Sequence, residues 1–468
     1  MNQEQFDVVI VGSGPAGVSA AYPLIKAGLK VAIIDGGLNS RNKDEKLDDF
    51  SNINLTETSN AYELFRNNSF VFNKTYRLLN IKSKIEIIQT LSKGGFSQFW
   101  HGISDFFTTS ELKAIGLSVD EIQSEYREIA KHLRLEPKLP LDIHSKLILR
   151  AAKSNPIDST VYTLPSAANY VNTLSIDIFK RFKNFTYIPN QLVYKAKDKY
   201  RLVEIQTISI DKSLKSTFQV RFLILAAGSI NTTRILLRSL ELFNYRTTFL
   251  TKAHYVIVCL HLRALFKKKS FKKMRLGQLA ISSNQIQGGL SKFFIQLFRF
   301  NPSAIHKATK YIQLPKLVVV PLMRIIAPSL VIADVRFPSF ESKGKFSKLK
   351  KGLDERDILE IQFNETAGEL RDHQKELKKI KQQLRILGLF PLKIGSDYVT
   401  THYAGGVPLN KSGSKLSSDK DGKLNNSKRI YIADSATWRG LPGKSPTLTI
   451  MANASRVGKN VLKNFNHF

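Results

Sequence analysis

The chain opens on an unbroken apolar run, Phe6 to Val11 (FDVVIV), and a second, Lys30 to Ile34 (KVAII), follows it. Between them lies a helix-length stretch from Ala16 to Ala27, closed by Gly28. Apolar character that is continuous rather than alternating predicts strands buried on both faces, as in a parallel sheet. The three pieces therefore predict one βαβ unit. Residues 41–90 lose the pattern, become rich in Asn and Ser, and predict an irregular excursion. Leu112 to Leu133 predicts a helix. Residues 184–224 hold short β-rich runs (FTYIP, QLVYKAK, LVEIQTISI, TFQVRFLIL), predicting a meander that ends in another buried strand. Ala226 to Ser239 then turns through glycine into a helix. Ile358 to Phe363 predicts a strand, and Glu365 to Leu387 a charged helix ended by Gly388. Arg429 to Asp434, followed by Thr447 to Leu462, repeats the strand–turn–helix theme. The pieces of one α/β fold are thus scattered along the chain, with a second domain inserted among them.

Gly12-Ser13-Gly14-Pro15-Ala16-Gly17 stands between the first strand and its helix. In that context the glycines have separate tasks. Gly12 permits a tight turn, Gly14 lets backbone approach a pyrophosphate, and Gly17 lets helix and strand pack closely. The helix N-terminus adds amide donors and a favourable dipole. Asp35 ends the second strand, where its carboxylate can accept both hydroxyls of a ribose.

The 468 residues suffice for two or three domains with a large core. Cys259, the only cysteine, sits in an apolar run (VIVCL) that predicts a core position and excludes an internal disulfide. No Cys/His cluster has metal-ligand spacing, so no metal is expected. Met1 to Phe6 has no basic segment leading an apolar one, which points to the cytoplasm. Charge changes the picture most. Lys and Arg number 71 against 38 Asp and Glu, and Thr251 to Lys351 holds 20 basic and two acidic residues. Such a field attracts phosphates, nucleic acid or an acidic membrane face, although a proteome-wide excess of lysine would produce the same bulk value.

Three further segments resemble the glucose–methanol–choline oxidoreductase family. Gly94-Gly95-Phe96-Ser97-Gln98-Phe99-Trp100 is similar to the family's G-G-x-S-x-x-W stretch beside the flavin ring. Phe222 to Thr232 (FLILAAGSINT) resembles its alanine–glycine segment. Tyr431 to Asp434 with Ser445 to Ile450 (SPTLTI) resembles its C-terminal signature. The resemblance implies an α/β fold: an FAD-binding Rossmann-like domain of that family's type with an inserted α+β substrate domain. The expected FAD-binding domain comprises 1–110, 172–245 and 425–468, and the substrate domain 111–171 and 246–424. It implies FAD contacts from Gly12, Ser13, Gly14, Pro15, Ala16, Gly17, Asp35, Gly94, Gly95, Ser97, Gly228, Asp434, Pro446 and Thr447. Asp434 also has an ordinary use, as a helix cap. Where some members join a histidine covalently to the flavin, this chain has Phe99, with His101 beyond Trp100, so non-covalent FAD is expected.

Family members oxidise an alcohol while a histidine takes the hydroxyl proton. His402, in Thr401-His402-Tyr403-Ala404-Gly405-Gly406, resembles the stretch that carries this base, and imidazole suits the task near neutral pH. Ser445 stands where the family has asparagine or histidine, and Tyr403 where it has proline. Both departures leave open a scaffold with weak or no redox activity.

The basic region adds a further expectation. Lys267 to Arg275 (KKKSFKKMR) and Lys292 to Ile332 mix cations with apolar residues. Their apolar runs fall short of the ~20 residues a spanning helix needs, which excludes a transmembrane helix. An anionic membrane surface is then a partner, and the inner face of the cytoplasmic membrane the location. The substrate would be a small-molecule or glycolipid alcohol, phosphate- or lipid-linked. The alternative is an ordinary buried sheet with a lysine-rich exterior. Nucleic acid is not expected as a partner, because no recognition motif accompanies the charge. The electron acceptor stays open.

Overall fold

A computed structural model describes residues 6–38, 75, 78–99, 102–135, 141–167, 174–265, 277–299, 326–352, 357–396, 401–411 and 413–465. The runs Lys267 to Arg275 and Leu317 to Met323 lie outside them.

The apolar run Phe6–Val11 is central to a seven-stranded sheet. Val31–Ile34 pairs with it in parallel on one side and Lys215–Leu225 on the other. Phe185–Ile188 extends the first flank in parallel, and Ile430–Ile432 runs parallel to the 215–225 strand. The meander over Gln191–Lys199, Leu202–Ser209 and Lys215–Leu225 is antiparallel and belongs to this same sheet. Phe185–Ile188 stands outside the meander, on the parallel flank, with Val31 N–H donating to Asn184 O at 2.9 Å.

Both faces of the sheet are covered. The helices Pro15–Lys26 and Thr447–Phe465 bury Val18, Ala21, Leu24, Leu448 and Met451 against Val8, Ile10 and Ile224. On the other face the helix Ser229–Ser239 and a four-stranded sheet close over Val9, Leu223 and Leu225. That small sheet includes Ile81–Ser83, parallel to Ile358–Phe363, so the polar excursion contains a strand.

A second sheet of six antiparallel strands contains Ala253–His261, Phe294–Arg299 and, between them, Leu330–Phe337. Strand periodicity sorts its side chains. Val331, Ala333, Val335 and Phe337 pack with Ile257 and Cys259 under the helices Ile143–Ser154 and Ala367–Ile386. The apolar run Ile325 to Ala333 thus supplies a central core strand in its second half. The α/β architecture, a Rossmann-like domain with an inserted α+β domain, is the fold observed.

Two differences from the pattern reading stand out. Leu112 to Leu133 is two helices, Thr109–Ile115 and Val119–His132. Thr108 and Glu111 form a capping box at the start of the first, and Gly116, at φ 90°, ends it. These helices also pack on the Rossmann side rather than in the substrate layer: Leu112, Ile122 and Ile129 join the core of Leu448 and Met451. Tyr126 Oη meets Thr449 Oγ1 at 2.6 Å, which fixes them there. Among the described residues no helix is long and apolar enough to cross a membrane.

Candidate active site

A cavity of about 820 Å³ opens at the carboxyl ends of the parallel strands, the usual ligand position in such sheets. Its lining runs from Asp35 and Gly14 at one end to His402, Arg336 and Ser445.

The first end is shaped by backbone. Gly12 has φ +103°, and a Cβ there would sit 2.5 Å from Ala226 O. A Cβ on Gly17 would lie 1.9 Å from Gly12 O, so Gly17 serves helix–strand packing and does not line the cavity. Gly14 is different: a Cβ would meet only Gly94 O, at 3.8 Å, and the remaining space is cavity. The helix that follows, with Pro15 and Ala16 in its first turn, has no side-chain cap, leaving its amides for a ligand. Ser13 ties the end together. Its Oγ donates to the Asp35 carboxylate and accepts from Gly94 N–H at 2.7 Å. Gly94 lies behind the lining, while Gly95 and Ser97 form part of it, with Ser97 Oγ donating to Gly94 O at 2.7 Å. Burial pushes Asp35 up to about 7, even though Ser13 and Tyr187 donate to it. Trp100 and His101 lie outside the described residues, as does the Phe99 side chain.

In the middle section Gly228, at φ +82°, has nothing within 4 Å of the point where a Cβ would stand, so ligand can approach its backbone. Asp434 lines the same stretch and is fully engaged. Thr232 Oγ1 donates to one oxygen at 2.6 Å and Ala436 N–H to the other at 2.9 Å, and burial pushes the group up to about 6. It is a cap and a cavity wall at once. Asn231 Oδ1 is buried there without a partner among the described residues. Pro446 and Thr447, at the start of the C-terminal helix, complete this part.

These features fit the diphosphate, ribose and ring of FAD: an uncapped helix end, glycines open to the cavity, a buried acceptor with no partner and two carboxylates.

The far wall is made by side chains. His402 precedes the short strand Tyr403–Ala404, which pairs with Leu250–Thr251. Gly406, at φ +115°, lets the loop cross Thr233, whose Oγ1 a Cβ would meet at 1.9 Å. Across the pairing stands Lys252, 1% exposed. Its Nζ contacts Gly443 O at 3.1 Å, Lys444 O at 2.6 Å and His402 Nδ1 at 3.2 Å. Burial, reinforced for the lysine by Arg336 and for the histidine by Lys252, holds both groups well below their ordinary values.

Beside them, the second sheet turns its non-core face to the cavity. Arg336 donates from Nη2 to Asp334 Oδ2 at 2.5 Å and to Gln296 Oε1 at 3.3 Å, and from Nη1 to Ser445 Oγ at 3.4 Å. His254 Nε2 meets Asp334 Oδ1 at 2.5 Å. Burial would raise Asp334, but Arg336 and His254 outweigh it and keep the carboxyl well below its usual range. The structure therefore brings His402 and Ser445 to one wall and adds Lys252, Arg336 and Gln296, which the sequence reading missed. One signal was available: Asp334 and Arg336 are the polar positions, two apart, of an otherwise apolar strand (LVIADVRF).

This fold and cavity define the class: a two-domain α/β protein with a Rossmann-like FAD-binding domain. A pyridine nucleotide-disulphide oxidoreductase family model matches residues 6–90. The chain has one cysteine, buried in a strand, so the match reflects the nucleotide-binding unit and not a dithiol. No curated protein matches by sequence. Among solved structures, the pyridoxine 4-oxidase from Mesorbium loti superposes with a TM-score of 0.67 at 12% identity, covering 98% of this chain and 99% of that one.

Proposed function

We propose that this protein is an FAD-dependent oxidoreductase that oxidises a CH–OH group, with FAD bound non-covalently and His402 receiving the hydroxyl proton. When bound, FAD supplies the two-electron acceptor for the hydride leaving carbon. The observation that carries the reading is the contact of His402, in the lining of the nucleotide cavity, with Lys252 buried behind it.

The proton positions follow from donor counting. As an ammonium, Lys252 would donate to two carbonyls and to His402 Nδ1, leaving the ring's proton on Nε2 and no base. As a neutral amine it donates to Gly443 O and Lys444 O and accepts from Nδ1–H, which leaves Nε2 as the basic lone pair. Complete burial, with no carboxylate among the described residues in hydrogen-bond contact, favours the amine. Lys252 is therefore a positioning residue, setting the ring's tautomer. Ser445 accepts from Arg336, so its own O–H is left to donate into the cavity. An inert scaffold has no use for this buried polar wall, which costs stability unless a bound partner uses it.

Anaerobic mixing with a panel of alcohols tests the proposal. Flavin absorbance should bleach with one class of alcohol, and acid precipitation should leave the colour in solution. A protein that takes up no FAD, or a His402→Ala variant that bleaches as fast as its parent, refutes it.

A further inference from the structure

Around Arg336 the cavity offers donors and lacks acceptors. Arg336 has five N–H bonds. Four are accounted for: Nε on Asp334 Oδ1 at 3.3 Å, Nη2 on Asp334 Oδ2 and Gln296 Oε1, and one Nη1 hydrogen on Ser445. The second Nη1 hydrogen has no acceptor among the described residues. Gln296 is 3% exposed, and its Nε2, with two hydrogens, is buried without a partner among them. Ser445 adds its hydroxyl. Both Asp334 oxygens are already engaged by Arg336 and His254, so the groups that this face turns to the cavity are chiefly donors. All three side chains line the cavity that holds His402.

We propose that the substrate alcohol carries a carboxylate or phosphate group, and that Arg336, Gln296 and Ser445 form its subsite. The inference rests on reading the cavity as the site of alcohol oxidation, and it narrows the substrate class. Sugar hydroxyls can accept here, but each also brings a hydrogen that this donor-rich face serves poorly. An acceptor-only group satisfies every orphaned hydrogen here, and Arg336 supplies a charge-assisted bond. Phe298 and Ile103 line the adjoining surface, which suits an apolar or aromatic body. Asp334 does not compete for the ligand. It holds the guanidinium plane edge-on, as an oriented fork requires.

The test uses ligands that cannot be oxidised, so it is independent of turnover. The FAD-loaded protein is titrated with benzoate, phenyl phosphate and the neutral benzamide, read by flavin absorbance and by calorimetry. At least one anion should bind on the order of tenfold or more tightly than benzamide, and the tighter of the two identifies the group. Arg336→Met should remove that preference, as should the charge-balanced pair Arg336→Met with Asp334→Asn if the single variant fails to fold. Gln296→Leu should reduce it. Benzamide binding as tightly as both anions to the unaltered protein overturns the subsite without any variant. Failure of the alcohol-oxidation reading is separate: anion binding then persists by calorimetry while no alcohol bleaches the flavin.

Discussion

The two ends of the cavity are built by different means. At the nucleotide end the shape is backbone: Gly12, Gly14 and Gly17 within six residues, an uncapped helix and a strand end. At the His402 end it is side chains gathered from Lys252, Gln296, Arg336, His402 and Ser445, with Arg336 and Ser445 109 positions apart yet in contact. The first is a local device and tolerates no methyl group at Gly12 or Gly17. The second is a network whose members each depend on a partner elsewhere in the chain. Damage should therefore separate: at one end binding of FAD fails, at the other the chemistry fails while FAD stays.

The largest contrast is expected from His402→Ala. Bleaching by a good substrate should slow by roughly 10²- to 10⁴-fold, the usual cost of losing a general base. FAD content after gel filtration should be unchanged. Gly17→Val should do the reverse. Its Cβ falls on a backbone oxygen that cannot move aside, so a loss of about 3 kcal/mol or more is expected, with no retained flavin. A His402→Ala protein that comes out colourless would break the comparison.

How far each end could be read beforehand follows from the same difference. The glycine turn, Asp35 and the flanking strands are close together in sequence and are set by local sterics, so periodicity and spacing reveal them. Ile358–Phe363 and the helix near 367–386 were legible for the same reason. The break at Gly116 was legible in principle, since glycine after a periodic stretch is a stop signal. The Rossmann-side packing of the two helices it separates was not, because their apolar stripe could face either layer. Lys252 is the clearest case. In the sequence it is one lysine among 71 cations, and only the pairing of Leu250–Thr251 with Tyr403–Ala404 brings it to His402.

Smaller effects sharpen the account of the catalytic wall. Asp334→Asn leaves Arg336 buried without its counter-charge and should cost about 3 kcal/mol of stability, read from denaturant midpoints. Lys252→Met should slow bleaching by about tenfold, because the ring loses the acceptor that fixes its tautomer. In the parent, the rate should stay flat as pH falls through the ordinary histidine range near 6.5, since His402 is held well below it. In Lys252→Met the acid limb should not move up, because the neutral amine that accepts from Nδ1–H carries no charge to repel the imidazolium. Facing charges at Arg336, Asp334 and His254 are the same in both proteins, which isolates the lysine. An acid limb that rises toward 6.5 in Lys252→Met would mean that Lys252 is an ammonium and would overturn the tautomer assignment.

The smallest effect concerns the carboxylates, and it separates groups waiting for a ligand from groups already satisfied. Asp35 is raised from 3.8 to about 7, chiefly by burial, so the folded protein binds its proton more tightly than the unfolded chain does. Its contribution to stability is then fully present below about pH 4, declines as pH rises toward 7 and is flat beyond. Asp334, held low by Arg336 and His254, has the opposite sign: its contribution is present at neutral pH and is lost on acidification. The ligand-free protein should therefore lose stability relative to Asp35→Asn between pH 5 and pH 8, by on the order of 1 kcal/mol once water in the open cavity is allowed for. Added FAD should shrink that difference, because ribose hydroxyls donating to Asp35 stabilise its ionised form. A difference that ignores FAD would mean that Asp35 answers to Ser13 and Tyr187 alone, and that the nucleotide end is as self-contained as the wall opposite.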